Sequence, residues 1–446
     1  MTIGGSASDK QRKLSAATQD ETAGGAREQA DPVDVLMERV LERDNLKRAL
    51  NKVRSNKGGP GIDGMSVDQL SDLLRLQWPC IREQLRCGAY RPSPVRTVLI
   101  PKGNGAVRRL GVPTVLDRFI QQALLQVLQS EWDPTFSHSS FGFRPKRSAH
   151  QAVASAQGYV RAGYSWVVDI DLEKFFDKVN HDVLMHRVRR RVKDARVLCL
   201  IGRMLRAGAI HAGTFSATTQ GTPQGGPLSP LLANVLLDEL DRELERLGHR
   251  FVRYADDCNI YVRSRRAGER VLASVRGFLE KQLKLKVNEH KSAVDRPWKR
   301  RILGFTFTRH RPNRLMVSAK AIDAFKHAVR AVTRRTRGRT LKQIIDELRM
   351  TLLGWKAYFG RAEVNSPLKA LDQWVRRRLR CYQWKQWGTR GYRALRELGV
   401  SRELAWNTAK SAHGPWRLSR SPALTIALPG AYFARLGLPT LSSSAQ

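Results

Sequence analysis

Two adjacent aspartates, Asp256 and Asp257, stand between two apolar runs of strand-forming residues, 251–254 before them and 258–262 after. A turn between strands accounts for aspartate, which favours turns. A third carboxylate, Asp171, ends the apolar run Val167-Val168-Asp169-Ile170, where a buried strand gives an acid no obvious structural purpose. Carboxylates brought from two strand ends to one place suit Mg²⁺, a hard ion that takes oxygen ligands, commonly one or two carboxylates with phosphate oxygens and water. Two such ions close together are what nucleotidyl transfer needs. One activates the attacking hydroxyl, and the other neutralises the triphosphate and its leaving group. Asp169 shares a strand face with Asp171, two residues away, and is a rival ligand. The aromatic pair Phe175-Phe176 that follows favours Asp171.

The elements that must position these acids can be read from the pattern around them. Residues 167–171 predict a buried strand running into a helix. Residues 251–254 and 258–262 predict two more strands, joined by a tight turn at Asp256-Asp257. Upstream, 95–100 and 107–112 read as a hairpin joined through Gly103-Asn104-Gly105. The segment Gly58-Gly59-Pro60-Gly61-Ile62-Asp63-Gly64 is a loop rich in backbone-permissive residues. Past Leu303-Gly304-Phe305 the pattern turns helical: Ile322, Phe325, Val329 and Val332 share one face, and Leu341, Ile344, Ile345, Leu348 and Leu352 another. The fold expected is mixed α/β (α+β) followed by a basic helical module.

Composition names the partner class. Lys and Arg total 79 against 40 Asp and Glu, a formal charge of +39 spread along the chain. Such an excess implies an extended polyanion, and nucleic acid is the obvious one. No stretch is apolar for the 18 or so residues a membrane span needs, so no membrane role is expected. The five cysteines, Cys80, Cys87, Cys199, Cys258 and Cys381, form no C-x-x-C pair. That suits free thiols in a reducing cytosol, and a cytoplasmic protein is expected.

Three blocks resemble successive motifs of reverse transcriptases. They are Asp171-Leu172-Glu173-Lys174-Phe175-Phe176-Asp177, Gln220-Gly221-Thr222-Pro223-Gln224-Gly225-Gly226-Pro227-Leu228-Ser229-Pro230 and Tyr254-Ala255-Asp256-Asp257. More narrowly, Gly61-Ile62-Asp63-Gly64, Ile100-Pro101-Lys102, Arg109-Leu110-Gly111-Val112-Pro113, Phe141-Gly142-Phe143-Arg144-Pro145 and Leu303-Gly304-Phe305 resemble the bacterial group II intron-encoded reverse transcriptase/maturase family. Gly354-Trp355-Lys356-Ala357-Tyr358-Phe359 resembles its maturase region. The resemblance implies a right-hand polymerase with fingers and palm, then an α-helical thumb/maturase module. It implies that Asp171, Asp256 and Asp257 bind two Mg²⁺, with Mn²⁺ able to substitute. It places Phe176 beneath the incoming sugar, where a ring excludes a 2′-hydroxyl, so the product is DNA; one of Phe175 and Phe176 must still be core. Lys102 and Arg108, with Arg109 a substitute for the latter, fall on the family's fingers hairpin and would hold the triphosphate. Gln224 would contact the nucleotide sugar. The 58–64 and 140–147 stretches are candidate template-backbone contacts.

In the helical module Arg330, Arg334, Arg335, Arg337 and Arg339 cluster. The stretch carrying Arg376, Arg377, Arg378 and Arg380 follows a Trp/Tyr-rich helix. Arginines beside aromatics can pair with phosphate and stack on unpaired bases, so these four are expected to bind RNA. The expected division is a disordered leader over 1–30, fingers and palm over 31–310, thumb/maturase over 311–390, and a short C-terminal region over 391–446 that contacts DNA. Expected partners are structured intron RNA, an RNA template with DNA primer, a DNA target and dNTPs; a homodimer stays open. Larger family members carry a C-terminal HNH endonuclease with paired cysteines, absent from this sequence, so priming is expected from elsewhere, such as a replication fork. Two competing readings are a maturase with a vestigial polymerase site and a domesticated or defence reverse transcriptase. The intact acids, Phe176 and Gln224 weigh against the first, and the 354–359 block with the arginine-rich helices against the second.

Overall fold

The computed structural model describes residues 35–101 and 107–442, so the leader expected over 1–30 lies outside the described residues, as does Lys102. Three helices come first, α1 (Val35–Val40), α2 (Arg43–Ser55) and α3 (Leu70–Arg86). The expected hairpin follows as β1 (Val95–Pro101) and β2 (Val107–Val112), with Ile100 opposite Arg108. Helix α4 (Val115–Trp132) is capped by Thr114, whose hydroxyl accepts from the Asp117 N–H, and is buried over most of its surface. Helix α5 (Ala149–Arg161) starts in a capping box between Ser148 and Gln151. Then come β3 (Trp166–Ile170), α6 (Phe175–Lys178), α7 (His181–Arg189), α8 (Ala195–Arg206), β4 (Ala209–His211) and β5 (Thr214–Ser216). Strand β4 pairs in parallel with β1, giving a sheet ordered β2-β1-β4-β5.

The second sheet positions the acids. Helix α9 (Ser229–Arg246) leads into β6 (Arg250–Tyr254) and β7 (Asp257–Val262), and α10 (Arg265–Phe278) leads on to β8 (Ala293–Asp295). The order is β6-β7-β3-β8, antiparallel throughout. Alternation splits its residues. Val168, Ile170, Phe251, Cys258 and Ile260 point into one core, shared with α4, α8, α9 and α10. Val167, Val252 and Tyr261 point the other way, into a second core built from α5 and the chain beyond residue 300.

That second core corrects one expectation. The chain past Gly304 is not immediately helical: β9 (Phe305–Phe307) and β10 (Leu315–Val317) form a hairpin first. Phe305 and Phe307 are buried, and Phe305 packs beside Phe359 and Tyr358, so contacts with the later helix α12, not a local helical period, govern here. The hairpin spans residue 310, where a domain boundary was expected. Helices then follow to the end: α11 (Ala319–Val332), α12 (Leu341–Phe359), α13 (Ser366–Trp387), α14 (Gly391–Glu397), α15 (Arg402–Lys410), α16 (Pro415–Leu418), α17 (Pro422–Ala427) and α18 (Gly430–Arg435). Leu341, Ile344, Ile345, Leu348 and Leu352 are all buried on α12, as their spacing requires. Among the described residues no helix is long and apolar enough to cross a membrane.

Candidate active site

Strand register brings the acids together. Asp169 pairs with Asn259 and Ile170 with Cys258, so the next step along β3 sets Asp171 beside Asp257 on the sheet face opposite Ile170. Tyr254 pairs with Asp257, which leaves Ala255 and Asp256 as the two turn residues. The turn thus lies one position earlier than expected, because Ala255 takes a positive φ of 58°, the conformation a two-residue hairpin demands. A loop over residues 286–292 clasps the end of β3. The Asp171 N–H donates to Ser292 Oγ at 3.0 Å, and the Asn288 N–H donates to the Asp171 carbonyl at 2.8 Å.

The carboxylates differ in what they already hold. Asp169 takes Arg300 Nε and Nη2 on Oδ2, at 2.9 and 2.6 Å, and Asn259 Nδ2 on Oδ1 at 2.9 Å. Both its oxygens are engaged. Asp171 Oδ2 is buried and accepts no hydrogen bond from the described residues; the Lys291 ammonium faces it at 2.8 Å. Burial raises the Asp256 carboxyl, and the Asp171 charge adds to it. Asp257 is pushed up to about 6, by burial first and then by the charges of Asp256, Asp171 and Asp169.

Among the described residues no three acids, histidines or cysteines converge as a finished metal-ligand set. The donors nonetheless fit a hard divalent cation. Oxygen ligands from two strand ends and a turn repel one another, and one oxygen is orphaned with a cation as its neighbour.

These acids lie in a cleft of about 3080 Å³ that also takes in Arg108, Arg109, Phe176 and Gln224. Arg108 is exposed on β2 and acts to lower the Asp256 carboxyl from across the cleft. Lys102 lies outside the described residues. The two phenylalanines of α6 part company. Phe175 is 2% exposed and belongs to the core, whereas Phe176 is half-buried, lines the cleft and meets Phe143 edge-on. Gln224 sits on a loop docked at both ends. Its carbonyl accepts from the Gly111 N–H at 3.1 Å, and the Thr222 N–H donates to the Phe176 carbonyl at 2.7 Å. Gly221, at φ 92°, fits there because a Cβ would lie 2.9 Å from that same Phe176 oxygen.

Other candidates make contacts within the protein. Within the 140–147 stretch Gly142 lies against the aspartate turn, while Phe143, Pro145 and Lys146 are exposed. Arg144 is spent on Asp133 and on the Ser137 and Ser140 carbonyls. On α13, Arg377 donates to Ser419 Oγ and the Trp416 carbonyl and stacks 3.7 Å from the Trp416 ring. Arg378 donates to Thr333, and Arg380 to the Leu428 carbonyl. These three tie α13 to neighbouring segments, which a solvated basic face would not do. Arg376 is half-buried.

Sequence reasoning missed Arg300, which engages Asp169, and the fully buried Arg253 of β6. Arg253 pairs with Asp241 and Asn234 of α9. A signal existed: Arg interrupts the apolar run Phe251-Val252-Arg253-Tyr254, while Asn234, Asp238 and Asp241 share one face of an apolar helix.

Residues 100–307 match the family Reverse transcriptase (RNA-dependent DNA polymerase). Residues 322–399 match the Group II intron, maturase-specific domain. Protein YkfC of Escherichia coli (strain K12) is 34% identical over 301 residues, covering 58% of this chain and 78% of that protein. The Group II intron-encoded protein LtrA of Lactococcus lactis subsp. cremoris is 30% identical over 237 residues, 51% of this chain and 38% of LtrA. A solved partial Cas6-RT-Cas1–Cas2 complex is 28% identical, covering 55% of this chain and 42% of that one with a TM-score of 0.36.

Proposed function

The chain belongs to the family of group II intron-encoded reverse transcriptases and maturases, and from that membership we propose how its own residues carry out RNA-directed DNA synthesis. Members of this family work with nucleic acids and divalent metal ions. The observation that carries the reading is one cleft lined together by Asp171, Asp256, Asp257, Phe176, Gln224 and Arg108. Asp171 and Asp257, from neighbouring strands, and Asp256, from the turn, would hold two Mg²⁺, with Mn²⁺ able to substitute. Bound there, the ions supply activation of the primer hydroxyl and neutralisation of the departing pyrophosphate. Asp169 is left out of the set, because Arg300 and Asn259 occupy its oxygens.

The protein's side chains do the rest. Arg108, together with Lys102, pairs with the triphosphate oxygens and sets its approach. The Phe176 ring lies where the sugar of the incoming nucleotide would press, and a 2′-hydroxyl would meet it. Gln224 presents its amide from a loop braced against both β2 and α6, so its reach to the sugar is fixed. Beyond the palm, residues 322–399 serve as the maturase part and grip the structured RNA of the host intron, assisting splicing and mobility; the C-terminal helices contact the DNA target.

Purified protein given an oligonucleotide-primed RNA template, dNTPs and Mg²⁺ should extend the primer, and Asp256→Ala should not. Absence of extension by the wild type, with Asp256→Ala indistinguishable from it, would leave an RNA-binding splicing cofactor as the activity.

A further inference from the structure

Arg253 is 0% exposed, on the sheet face turned away from the carboxylates. A charge at such a place is costly unless paired and fully hydrogen-bonded. Its fork is filled. Nε and Nη2 reach the two oxygens of Asp241 at 2.7 and 2.5 Å, and Nη1 reaches Asn234 Oδ1 at 3.0 Å. The remaining bond runs forward: Nη1 donates to the Ala255 carbonyl at 2.9 Å. That carbonyl belongs to the peptide joining Ala255 to Asp256.

The turn needs such a hold. Ala255 has φ 58°, a left-handed conformation that an alanine does not choose by itself. Asp256 and Asp257 follow it into a region where their charges repel each other and Asp171. Gly142 closes the turn on its amide side, for a Cβ there would lie 2.2 Å from Ala255 N. Asn234 joins the two supports, donating to the Gly142 carbonyl at 2.9 Å while accepting from Arg253. Strand pairing completes the frame: the Phe141 N–H donates to the Arg253 carbonyl and the Arg253 N–H to the Ser139 carbonyl, both at 2.9 Å.

Stability alone does not call for this pair, since well-packed apolar residues commonly replace a buried ion pair without loss. What apolar packing cannot supply is a planar fork that fixes one carbonyl relative to α9. We infer that Arg253 is a positioning residue: held by Asp241 and Asn234, it fixes the Ala255 carbonyl so that Asp256 and Asp257 present their carboxylates beside Asp171. This rests on the reading of those aspartates as the metal-holding set.

The test is the double variant Arg253→Met with Asp241→Leu, which removes both buried charges at similar volume. Its melting temperature should fall only modestly, because Asn234 Oδ1 and the Ala255 carbonyl each lose a donor, and its binding to an RNA template–primer should stay close to wild type. Mn²⁺ affinity of the otherwise metal-free protein, read by electron paramagnetic resonance, should weaken by about 10–100-fold, the range seen when supports behind ligands are removed. The kcat for primer extension should fall over a similar range with the KM for dNTP little changed. A folded double variant with wild-type Mn²⁺ affinity and kcat overturns the inference, and so does parallel loss of melting temperature, RNA binding and activity. Should the double variant not fold, Asn234→Ala keeps the ion pair and removes one strut. It should weaken Mn²⁺ binding in the same direction, and a wild-type value would again overturn the idea. The wild type in the same assays separates the two claims: if it neither binds Mn²⁺ nor extends a primer, the polymerase reading fails and takes the inference with it.

Discussion

Truncating either phenylalanine of α6 removes a ring of the same size, yet the two places differ. Phe175 is 2% exposed within the core shared by β3, α7 and α9, so Phe175→Ala should cost about 3–5 kcal/mol of stability. A urea or thermal melt reads this directly. Phe176 has one side in the cleft and its edge toward Phe143 at 6.5 Å, so its truncation opens space beside the nucleotide. Phe176→Val should lower the kcat/KM preference for dNTP over rNTP by at least about tenfold, a change in scale with what one group in a shaped pocket discriminates. Single-nucleotide incorporation measures it. An unchanged ratio in a folded, active variant would move the sugar gate to another residue. Resemblance picks Phe176 from the sequence, but residue pattern alone does not: adjacent residues on a one-turn helix share the same period, and only packing shows why Phe175 is the core ring. The same holds for Asp169 and Asp171, which share a strand face. The arginine that occupies Asp169 arrives from residue 300, 131 positions away, and no local pattern announces it.

At the scale of elements, what could be read in advance was what local chemistry determines. The β1–β2 hairpin, the buried strand β3, the paired strands around the aspartates and the apolar faces of α11 and α12 all follow from residue period and turn chemistry. What could not be read was how distant motifs meet: the 220–226 loop seated on α6 and β2, Gly142 beneath Ala255, and the β9–β10 hairpin, whose three-residue strands are too short to show alternation. The arginines of α13 are the clearest case. As a charge run they read as a surface for RNA, but Arg378 donates to Thr333 Oγ1 at 2.9 and 3.0 Å and to its carbonyl at 3.1 Å, capping the end of α11 from a neighbouring helix. Arg378→Ala should therefore destabilise the protein by about 1–3 kcal/mol, the cost of stripping partners from buried polar groups. Arg376→Ala should change stability by less than about 0.5 kcal/mol. Thermal melts of the two single variants decide this, and equal losses would mean that α13 is held by something other than these hydrogen bonds.

Across the whole molecule, α11 links the two activities. Its first turns bring Lys320, Asp323 and His327 to the cleft. Its far end runs into the exposed arginines Arg334 and Arg335, neither of which has an ion-pair partner among the described residues. A 14-residue helix spans about 21 Å, between two and three Debye lengths at physiological salt, where one is about 8 Å. Charge at one end is therefore screened from chemistry at the other. With +39 on the chain, RNA binding should be dominated by counterion release, and each arginine–phosphate pairing removed should flatten the log–log salt dependence by about 0.7–0.9. Replacing Arg334, Arg335 and Arg376 with glutamine avoids the three arginines that hold helices together. The triple variant should bind structured intron RNA more weakly, with a salt slope shallower by about 2 if all three touch phosphate, while extending a primer on a short RNA template at close to the wild-type rate. Filter binding across a salt series and the extension assay together check both halves. Loss of extension on the short template would show that the arginine end of α11 grips the primer–template itself, and an unchanged salt slope would place the RNA on another face.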